Sequence, residues 1–200
     1  MTSRSDNRKQ LRAHRRALSP REHQQRSRAL CRQLINHPLF RTSKRIAVYL
    51  PNDGEVDTRL LIERAWDMHK KVYLPVLVPY RENRLWFTRY TPHTRLVNNR
   101  FGIPEPEFVH RQRIRTHALD LVLTPLVGFD AQGNRLGMGG GFYDRSLAFL
   151  RRRQHWHKPR LVGLAYDFQQ LPELAAEVWD VPLSAVVTDV HWHRFEERQE

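Results

Sequence analysis

The sequence lacks the features of a secreted or membrane-bound protein. Its one cysteine, Cys31, excludes an internal disulfide and favours a reducing compartment. No apolar run approaches the ~18 residues of a membrane span. The first residues carry no apolar segment of the kind that directs export. We therefore expect a soluble, cytoplasmic protein that does not contact a membrane.

Acidic residues are scarce in the first 45 positions, where thirteen arginines and lysines are accompanied only by Asp6 and Glu22. About +11 of the net charge of +13 therefore lies in this segment. A basic field of this kind attracts polyanions, which leaves two classes of partner open: nucleic acid, and phosphorylated or polycarboxylated small molecules. Against nucleic acid, the charge is not interleaved with stacking aromatics and no RNA-binding motif is present.

The segment before residue 45 is predicted to be helical. One helix is expected over residues 6–18 because Leu11 and Leu18 recur on one face. A second begins at Ser19–Glu22, where SPRE supplies an N-cap serine, a first-turn proline and a capping-box glutamate. Pro38 marks its end. These helices form the predicted basic arm.

The residues after 45 alternate short apolar runs with an amphipathic segment. Arg45–Leu50 and Val72–Val78 are typical of buried strands, and Leu60–Trp66 between them is typical of a helix. This β-α-β pattern favours parallel strands with a right-handed crossover. Leu119–Val127 is the most apolar run and is expected to be a central strand. The remaining expectations are a strand at 85–90, an irregular loop at 96–106, a helix at 142–153, strands at 161–165 and 185–188, and a frayed tail at 191–200.

We predict one domain over residues 1–200, made of the basic helical arm (1–44), an α/β core (45–190) and the tail (191–200). The predicted fold class is α/β: a Rossmann-like, three-layer open sheet, mostly parallel and flanked by helices.

Five of the nine glycines fall between Gly133 and Gly141, after the predicted central strand and before a predicted helix. Glycine N–H groups can approach an anion closely, and ligands of open α/β sheets bind beyond the carboxyl ends of strands. Arg135 and Arg145 flank this segment and suit phosphate oxygens, and Asp144 suits a magnesium ion. The spacing fits neither a Walker loop nor a dinucleotide fingerprint. The structural alternative is a tightly packed turn.

The glycine-rich segment, TPLVGFDAQGNRLGMGGGFYDR, resembles the 5-formyltetrahydrofolate cyclo-ligase family, whose members are also called 5,10-methenyltetrahydrofolate synthetases. Further similar blocks follow in order over residues 8–190, namely RKQLR, YLPNDGEVDT, KKVYLPVL, VGLAYDFQ and WDVPLSAVVTD. The resemblance implies that ATP and Mg²⁺ drive the cyclisation of 5-formyltetrahydrofolate to 5,10-methenyltetrahydrofolate, with release of ADP and phosphate. It further implies a monomer that acts on this small molecule, with or without a polyglutamate tail, and has no nucleic-acid partner.

The resemblance also implies site residues. Those with an implied catalytic role are Arg135, Tyr143 and Arg145. Those expected to bind ATP are Arg8, Lys9, Arg12, Arg135, Leu136, Gly137, Met138, Gly139, Gly140, Gly141, Phe142 and Tyr143. Those expected to bind the folate are Leu50, Glu55, Met138, Gly139, Gly140, Gly141 and Phe142. Asp144 and Asp180 are the implied magnesium ligands.

The chain departs from the family pattern at two places. Arg8 stands where a lysine is frequent, with Lys9 beside it, so either residue can take that role. Gly140 stands where some members carry a lysine, so positive charge near the loop must come from arginines or from the arm.

Each assignment also has a purely structural interpretation. Glu55 can be a solvated surface residue, Asp180 a turn residue, and Asp144 an ion-pair partner. Leu50 and Tyr143 can be core residues. The eleven histidines show no metal-ligand spacing, so pairs such as the histidines at 191 and 193 are predicted to be surface residues.

Two other functional classes compete with the ligase. A basic nucleic-acid-binding protein would show salt-dependent binding to RNA or DNA and no role for ATP. A sugar-phosphate isomerase or an acyl-CoA transferase could share the α/β architecture, because architecture does not fix function.

Overall fold

An eight-stranded sheet forms the centre of the computed structural model, which describes residues 3–78, 83–107, 110–152 and 158–195. The helices are α1 (Arg4–Ala17), α2 (Pro20–Asn36), α3 (Pro38–Thr42), α4 (Arg59–Asp67) and α5 (Phe142–Leu147). The strands are β1 (Arg45–Ala47), β2 (Lys71–Leu77), β3 (Leu85–Tyr90), β4 (Leu96–Asn98), β5 (Pro104–Pro106), β6 (Arg113–Ile114), β7 (Leu121–Pro125), β8 (Gly128–Phe129), β9 (Arg135–Leu136), β10 (Arg160–Leu164), β11 (Ala185–Val187) and β12 (Trp192–Arg194). Single 3-10 turns lie at His110–Gln112, Thr116–Ala118, Ala148–Arg152 and Asp167–Gln169.

The central strands of the sheet are parallel. The strand order is β12-β11-β10-β7-β1-β2-β3-β6, and β1 pairs in parallel with both β2 and β7. β10 pairs in parallel with β7 and β11. The antiparallel strands are β12 at one edge of the sheet, and β3 followed by β6 at the other. The predicted open, mostly parallel α/β sheet is therefore confirmed.

Apolar side chains cover both faces of the sheet. On one face, alternate residues such as Ile46 and Leu121 pack under α2, α3 and α4, with Leu34 and Phe40 among their partners. On the other face, the intervening residues of the same strands pack against Leu147 of α5. Burial on both faces explains why β1, β2 and β7 read as continuous apolar runs rather than as alternating ones. The predicted three layers are present.

The first 44 residues pack onto this core. Ser3 caps α1, and Ser19 with Glu22 forms the predicted capping box of α2. Leu11 of α1 is buried in a small cluster with Val127 and Leu136, both of which follow β7. The basic arm is therefore a built-in part of the domain that lies against the segments leaving the central strand.

Three local expectations were wrong. Residues 96–106 form the β4–β5 hairpin instead of an irregular loop, because the Asn99 side chain holds its turn and Gly102 adopts φ +72°. The predicted helix at 142–153 ends at Leu147 and continues only as a 3-10 turn. The tail is not frayed at β12, which pairs with β11 and stacks Trp192 on His37. Residues 153–157 and 196–200 lie outside the described residues.

No helix in the described part of the chain is long and apolar enough to cross a membrane. The longest, α2, has 17 residues and carries charged side chains along its length.

Candidate active site at the carboxyl edge of the sheet

The connections that follow the neighbouring strands β1 and β7 run toward opposite edges of the sheet. The chain continues from β1 through α4 to β2, toward the β6 edge, and from β7 to β10, toward the β12 edge. Such a reversal opens a crevice at the carboxyl ends of the two strands, where ligands of open α/β sheets bind. The segment after β1 holds the predicted folate residues Leu50 and Glu55, and the segment after β7 holds the predicted ATP loop. The topology therefore brings both predicted half-sites to one edge.

Asp53 fixes the segment after β1 to the basic arm. It sits with Gly54 in a tight turn in which both residues have positive φ, +53° and +71°. Its carboxylate accepts hydrogen bonds from Arg12 Nε at 2.7 Å, Arg15 Nη2 at 2.9 Å and Arg16 Nε. Although burial opposes ionisation, the hydrogen bonds from Arg12 and Arg16 lower the pKa of Asp53. In the sequence, Asp53 with Gly54 is typical only of a turn, and the arginine partners become visible in the fold.

Arg15 is buried and joins the two segments of the crevice. Its Nε donates to the Asp53 carbonyl at 2.8 Å, and its Nη1 donates to the carbonyl of Leu126, just after β7, at 3.2 Å. A Cβ on Gly54 would lie 3.1 Å from the Arg15 carbonyl oxygen, so this close approach favours glycine at the turn. A buried arginine with these bonds holds the two segments in register.

Glu55 is partly buried between the basic arm and Tyr143. Burial raises its pKa to about 7, although Arg15 nearby opposes this shift. The same carboxyl acts on the partly buried Tyr143, whose pKa is raised first by desolvation and then by Glu55. The His23 ring contacts the Glu55 carbonyl at 2.8 Å, and Glu55 accepts from the Asn52 N–H at 3.1 Å. Glu55, the glutamate predicted to bind the folate, and Tyr143, a predicted catalytic residue, thus lie close enough to interact electrostatically.

Asp130 organises the hairpin that leads into the glycine loop. β8 pairs with β9, and Asp130 at their turn accepts from the backbone N–H groups of Gln132, Asn134 and Leu174 at 2.9 to 3.0 Å. Gly133 at this turn has φ +80°. These hydrogen bonds fix the hairpin, and the hairpin in turn fixes where the glycine loop begins.

The glycine loop, residues 137–141, has open space beside its backbone at Gly137 and Gly139. Gly139 and Gly141 have φ of +99° and +63°, values that favour glycine. A Cβ on Gly137 would meet nothing within 4 Å, and one on Gly139 would meet only Arg8 at 3.9 Å. No described residue accepts a hydrogen bond from the N–H groups of Gly137, Met138, Gly139 or Gly140. Unpartnered, exposed N–H groups in a row are suited to an anion.

Arginines reach the glycine loop from both sides. Arg8 of α1 donates from Nε to the Gly137 carbonyl at 2.8 Å, whereas the adjacent Lys9 is exposed. Arg145, also exposed, donates from Nη1 to the Gly140 carbonyl at 2.6 Å. The structure therefore places Arg8, rather than Lys9, beside the loop.

Arg135 does not face the open side of the glycine loop. Its side chain is buried, donates to the Val181 carbonyl and forms an ion pair with Asp144. Asp144 Oδ1 also accepts from the Val181 N–H at 3.1 Å. The guanidinium thus orients the Asp144 carboxylate. Arg135 can therefore influence a bound phosphate only indirectly, through the position of that carboxylate.

Asp180 lies beside the same ion pair. It acts electrostatically on Arg135, accepts from the Glu177 N–H at 3.1 Å and lies 3.5 Å from Arg4 of α1. The hydrogen bonds to Asp144 fall on Oδ1 and those to Asp180 on Oδ2, so within the described ranges the second oxygen of each has no hydrogen-bond partner. Mg²⁺ takes oxygen ligands and typically one or two carboxylates with phosphate and water. The two aspartates fit a magnesium ion.

The other predicted site residues divide between core and surface. Leu136 is fully buried, so only its backbone can reach a ligand, and Leu50 is half-buried at the edge of the core. Met138 is half exposed. Phe142 meets Phe101 from the β4–β5 hairpin edge to face, with ring centroids 5.9 Å apart. The hairpin's approach to the site was missed, although Asn99–Gly102 carries turn signals that could have indicated a hairpin.

Comparisons with known proteins show which family this sequence resembles. The model of the 5-formyltetrahydrofolate cyclo-ligase family matches residues 1–189. A 5-formyltetrahydrofolate cyclo-ligase of Escherichia coli is 44% identical over 180 residues, which cover 89% of this chain and 96% of that protein. The protein of the same name from Haemophilus influenzae is 43% identical over 178 residues, covering 88% and 92%.

A solved structure supports the fold match. The NMR structure of the Aquifex aeolicus 5,10-methenyltetrahydrofolate synthetase superposes with a TM-score of 0.81 and 32% sequence identity. The superposition covers 98% of this chain and 95% of that protein. The likeness therefore extends over the arm, the sheet and both segments of the crevice.

The pKa of Glu55 predicts how stability depends on pH. Because the folded-state pKa of about 7 lies above the ordinary value of 4.5, the wild-type protein loses stability as pH rises through this window. We expect Glu55→Gln to remove that loss. The free energy of unfolding of the variant minus that of the wild type should therefore be about 2 kcal/mol higher at pH 8 than at pH 5. Urea unfolding of the ligand-free protein at both pH values measures this difference.

Glu63→Gln is the matched control, because it removes the same charge from the exposed face of α4. It should leave the pH dependence unchanged. If the stability difference between wild type and Glu55→Gln is the same at pH 5 and pH 8, the carboxyl does not lie in the environment described.

Proposed function

The chain belongs to the 5-formyltetrahydrofolate cyclo-ligase family, and we propose that it cyclises 5-formyltetrahydrofolate with ATP bound on the glycine loop. The folate would lie against the segment after β1, and the triphosphate against the segment after β7. The crevice between β1 and β7 would then hold the formyl oxygen next to the γ-phosphate. Catalysis of this kind needs positioning and charge stabilisation more than covalent help from the protein.

One observation carries the nucleotide assignment: a row of unpartnered backbone N–H groups between two arginines. The N–H groups of Gly137, Met138, Gly139 and Gly140 would donate to phosphate oxygens. Arg8 and Arg145 already touch the carbonyls of this loop, so their remaining guanidinium N–H groups lie close to the same oxygens. They supply the charge that a lysine in place of Gly140 would otherwise give.

Asp144 and Asp180 would hold the magnesium ion. When bound, the ion neutralises charge on the phosphate oxygens. Arg135 would keep the Asp144 carboxylate in place, and Arg4 would do the same for Asp180. In this arrangement Arg135 is a positioning residue, and the contact with phosphate falls to Arg8 and Arg145.

Glu55 would recognise the pterin. Its carboxyl is half-ionised near pH 7 because burial raises its pKa to about 7, and hydrogen bonds from the ring N–H groups of a pterin would favour the carboxylate. Leu50 lies partly exposed just after β1, and Met138 and Phe142 on the glycine-loop side offer apolar contact. A flat heterocycle with a polar edge suits this combination.

The reaction balances with these groups in place. The γ-phosphoryl group passes from ATP to the formyl oxygen and leaves ADP, which makes the formyl carbon electrophilic. N10 then attacks that carbon, and the carbon–oxygen bond breaks as phosphate departs together with the N10 proton. The methenyl cation that results carries its charge close to Glu55, whose carboxylate form stabilises it.

The nucleic-acid alternative is not supported. The family match covers residues 1–189, and many of the basic side chains of the arm already have acidic or carbonyl partners. Arg12, Arg15 and Arg16 meet Asp53, and Arg8 meets the glycine loop. Part of the positive charge of the arm therefore lies at the crevice, where an anionic small molecule is expected.

The proposed reaction predicts coupled turnover. Purified protein with Mg-ATP and 5-formyltetrahydrofolate should produce one ADP for each methenyltetrahydrofolate, and ATP should not be consumed without the folate. Near-ultraviolet absorbance of the methenyl product, read alongside an ADP assay, measures the ratio. ADP formation at an equal rate without folate, or turnover of other N-formyl compounds in preference to this one, would overturn the assignment.

Arg8 and Lys9 provide a matched pair for the nucleotide site. Arg8→Ala should raise the KM for ATP about tenfold, because it removes a charge-assisted hydrogen bond to phosphate, with little change in the KM for the folate. Lys9→Ala removes the same charge one residue away on the exposed side of α1 and should change either KM less than about twofold. Equal effects of the two substitutions on the KM for ATP would mean that α1 contributes only its general positive charge and that Arg8 makes no specific contact with phosphate.

A further inference from the structure

Three potential metal ligands converge at the β12 edge of the sheet. Asp167 lies in the 3-10 turn after β10, His191 precedes β12, and His193 lies within it. One carboxylate oxygen and one ring nitrogen of each histidine all lie within 4.8 Å of one another. In the part of the chain that the structure describes, no other three histidine, cysteine or acidic side chains come this close.

Strand geometry accounts for the convergence. Residues two apart on an extended strand point to the same side, so His191 and His193 share one face while Trp192 turns to the other and stacks on His37. β12 pairs with β11 in antiparallel register, with His193 opposite Val186. β11 in turn lies beside β10, whose following turn supplies the aspartate. The ligands therefore come from β12, from the residue before it and from the turn after β10, with β11 between the two.

The hydrogen bonds of the cluster do not satisfy the buried Nε2 of His193. His191 Nδ1 lies 3.0 Å from Asp167 Oδ1, and Thr188 Oγ1 donates to the same oxygen at 2.9 Å. His193 Nε2 is buried and has no hydrogen-bond partner among the described residues. A buried polar atom without a partner costs free energy, and a bound ion would remove that cost.

We propose that Asp167, His191 and His193 bind a divalent transition metal ion of the zinc class. Two imidazole nitrogens and one carboxylate oxygen match the ligands that Zn²⁺ prefers, and water can fill a fourth position. Tetrahedral bonds of ~2.0–2.1 Å place ligand atoms about 3.4 Å apart. The Asp167–His191 pair at 3.0 Å would therefore widen slightly, and the longer separations, of up to 4.8 Å, would shorten. Thr188 would orient the carboxylate as an outer hydrogen-bond donor.

Among the described residues, the arginine beside the cluster is held by another carboxylate. Arg26 pairs with Asp189 at 2.6 Å, and Asp189 also accepts from the Asp167 backbone N–H at 2.8 Å. The cluster is chemically distinct from the proposed magnesium ligands, because Asp144 and Asp180 offer only oxygen atoms. Cys31 does not compete for the ion, since burial raises the pKa of its thiol to about 12.

The ion would tie the end of the chain to the wall of the candidate active site. The turn that contains Asp167 also carries Phe168, which stacks on Tyr166 and, at 4.0 Å, on His14 of α1. Cross-linking β12 to this turn would therefore stabilise the folded protein. The inference does not depend on the folate reaction.

Calorimetric titration of the chelator-treated, untagged full chain with ZnSO₄ tests the proposal, together with thermal unfolding. We expect one ion per chain with a dissociation constant in the micromolar range or tighter, and a higher Tm with zinc. The double variant His191→Ala/His193→Ala and the milder Asp167→Asn should each weaken binding at least about tenfold. Cobalt in place of zinc should give visible d–d bands in the wild type but not in these two variants.

His155→Ala/His157→Ala is the matched control, since these histidines have the same spacing in sequence. It should bind zinc as the wild type does. The proposal is overturned if the wild type shows no binding below millimolar zinc, or if the control variant loses the ion while the His191/His193 variant keeps it. Asp167→Asn keeps the shape of the side chain, so folded Asp167→Asn protein with unchanged affinity also overturns it.

Discussion

Arg15 crosses the gap between the two segments that form the crevice, and the arrangement of the site depends on its bonds. One end of the guanidinium holds Asp53 after β1, and the other holds the carbonyl of Leu126 after β7. The side chain is almost completely buried. Removing one partner of a buried ion pair costs about 3–5 kcal/mol, because the remaining charge has no water to solvate it. The crevice is therefore held at a fixed width by electrostatics as well as by packing.

The same helix brings charge to the proposed phosphate and metal sites. With Arg15 and Leu11 anchored, the face of α1 one and two turns earlier carries Arg8 to the glycine loop and Arg4 to Asp180. Residues spaced three or four apart share one helix face, so a single docked helix can serve both half-sites. A basic arm that would attract nucleic acid if it were free thus becomes one wall of a small-molecule site.

Much of the fold was predictable because it follows from local patterns. The apolar runs of β1, β2 and β7 identified a doubly covered parallel sheet, and the SPRE segment located the start of α2. The glycine segment located the proposed nucleotide half-site, since so many glycines between a strand and a helix favour a backbone that an anion can approach. The family resemblance added the cyclo-ligase chemistry, and the comparisons with known proteins confirm the family.

The parts that could not be predicted depend on contacts between distant segments. Asp53 looks like a turn residue until α1 docks on it, and Arg135 looks like a phosphate ligand until burial pairs it with Asp144. β4, β5 and β12 are strands of three residues each, too short for their sequences to show the alternation that predicts a strand. They form because neighbouring strands or a turn offer hydrogen-bond partners, a tertiary effect that periodicity does not record.

NMR of isotope-labelled protein with a non-hydrolysable ATP analogue tests the central claim most directly. The account predicts that the backbone amide signals of Gly137, Met138, Gly139 and Gly140 move most, and that Mn²⁺ in place of magnesium broadens signals around Asp144 and Asp180. If these amides stay in place while others move, the triphosphate binds elsewhere and the glycine loop is only a turn.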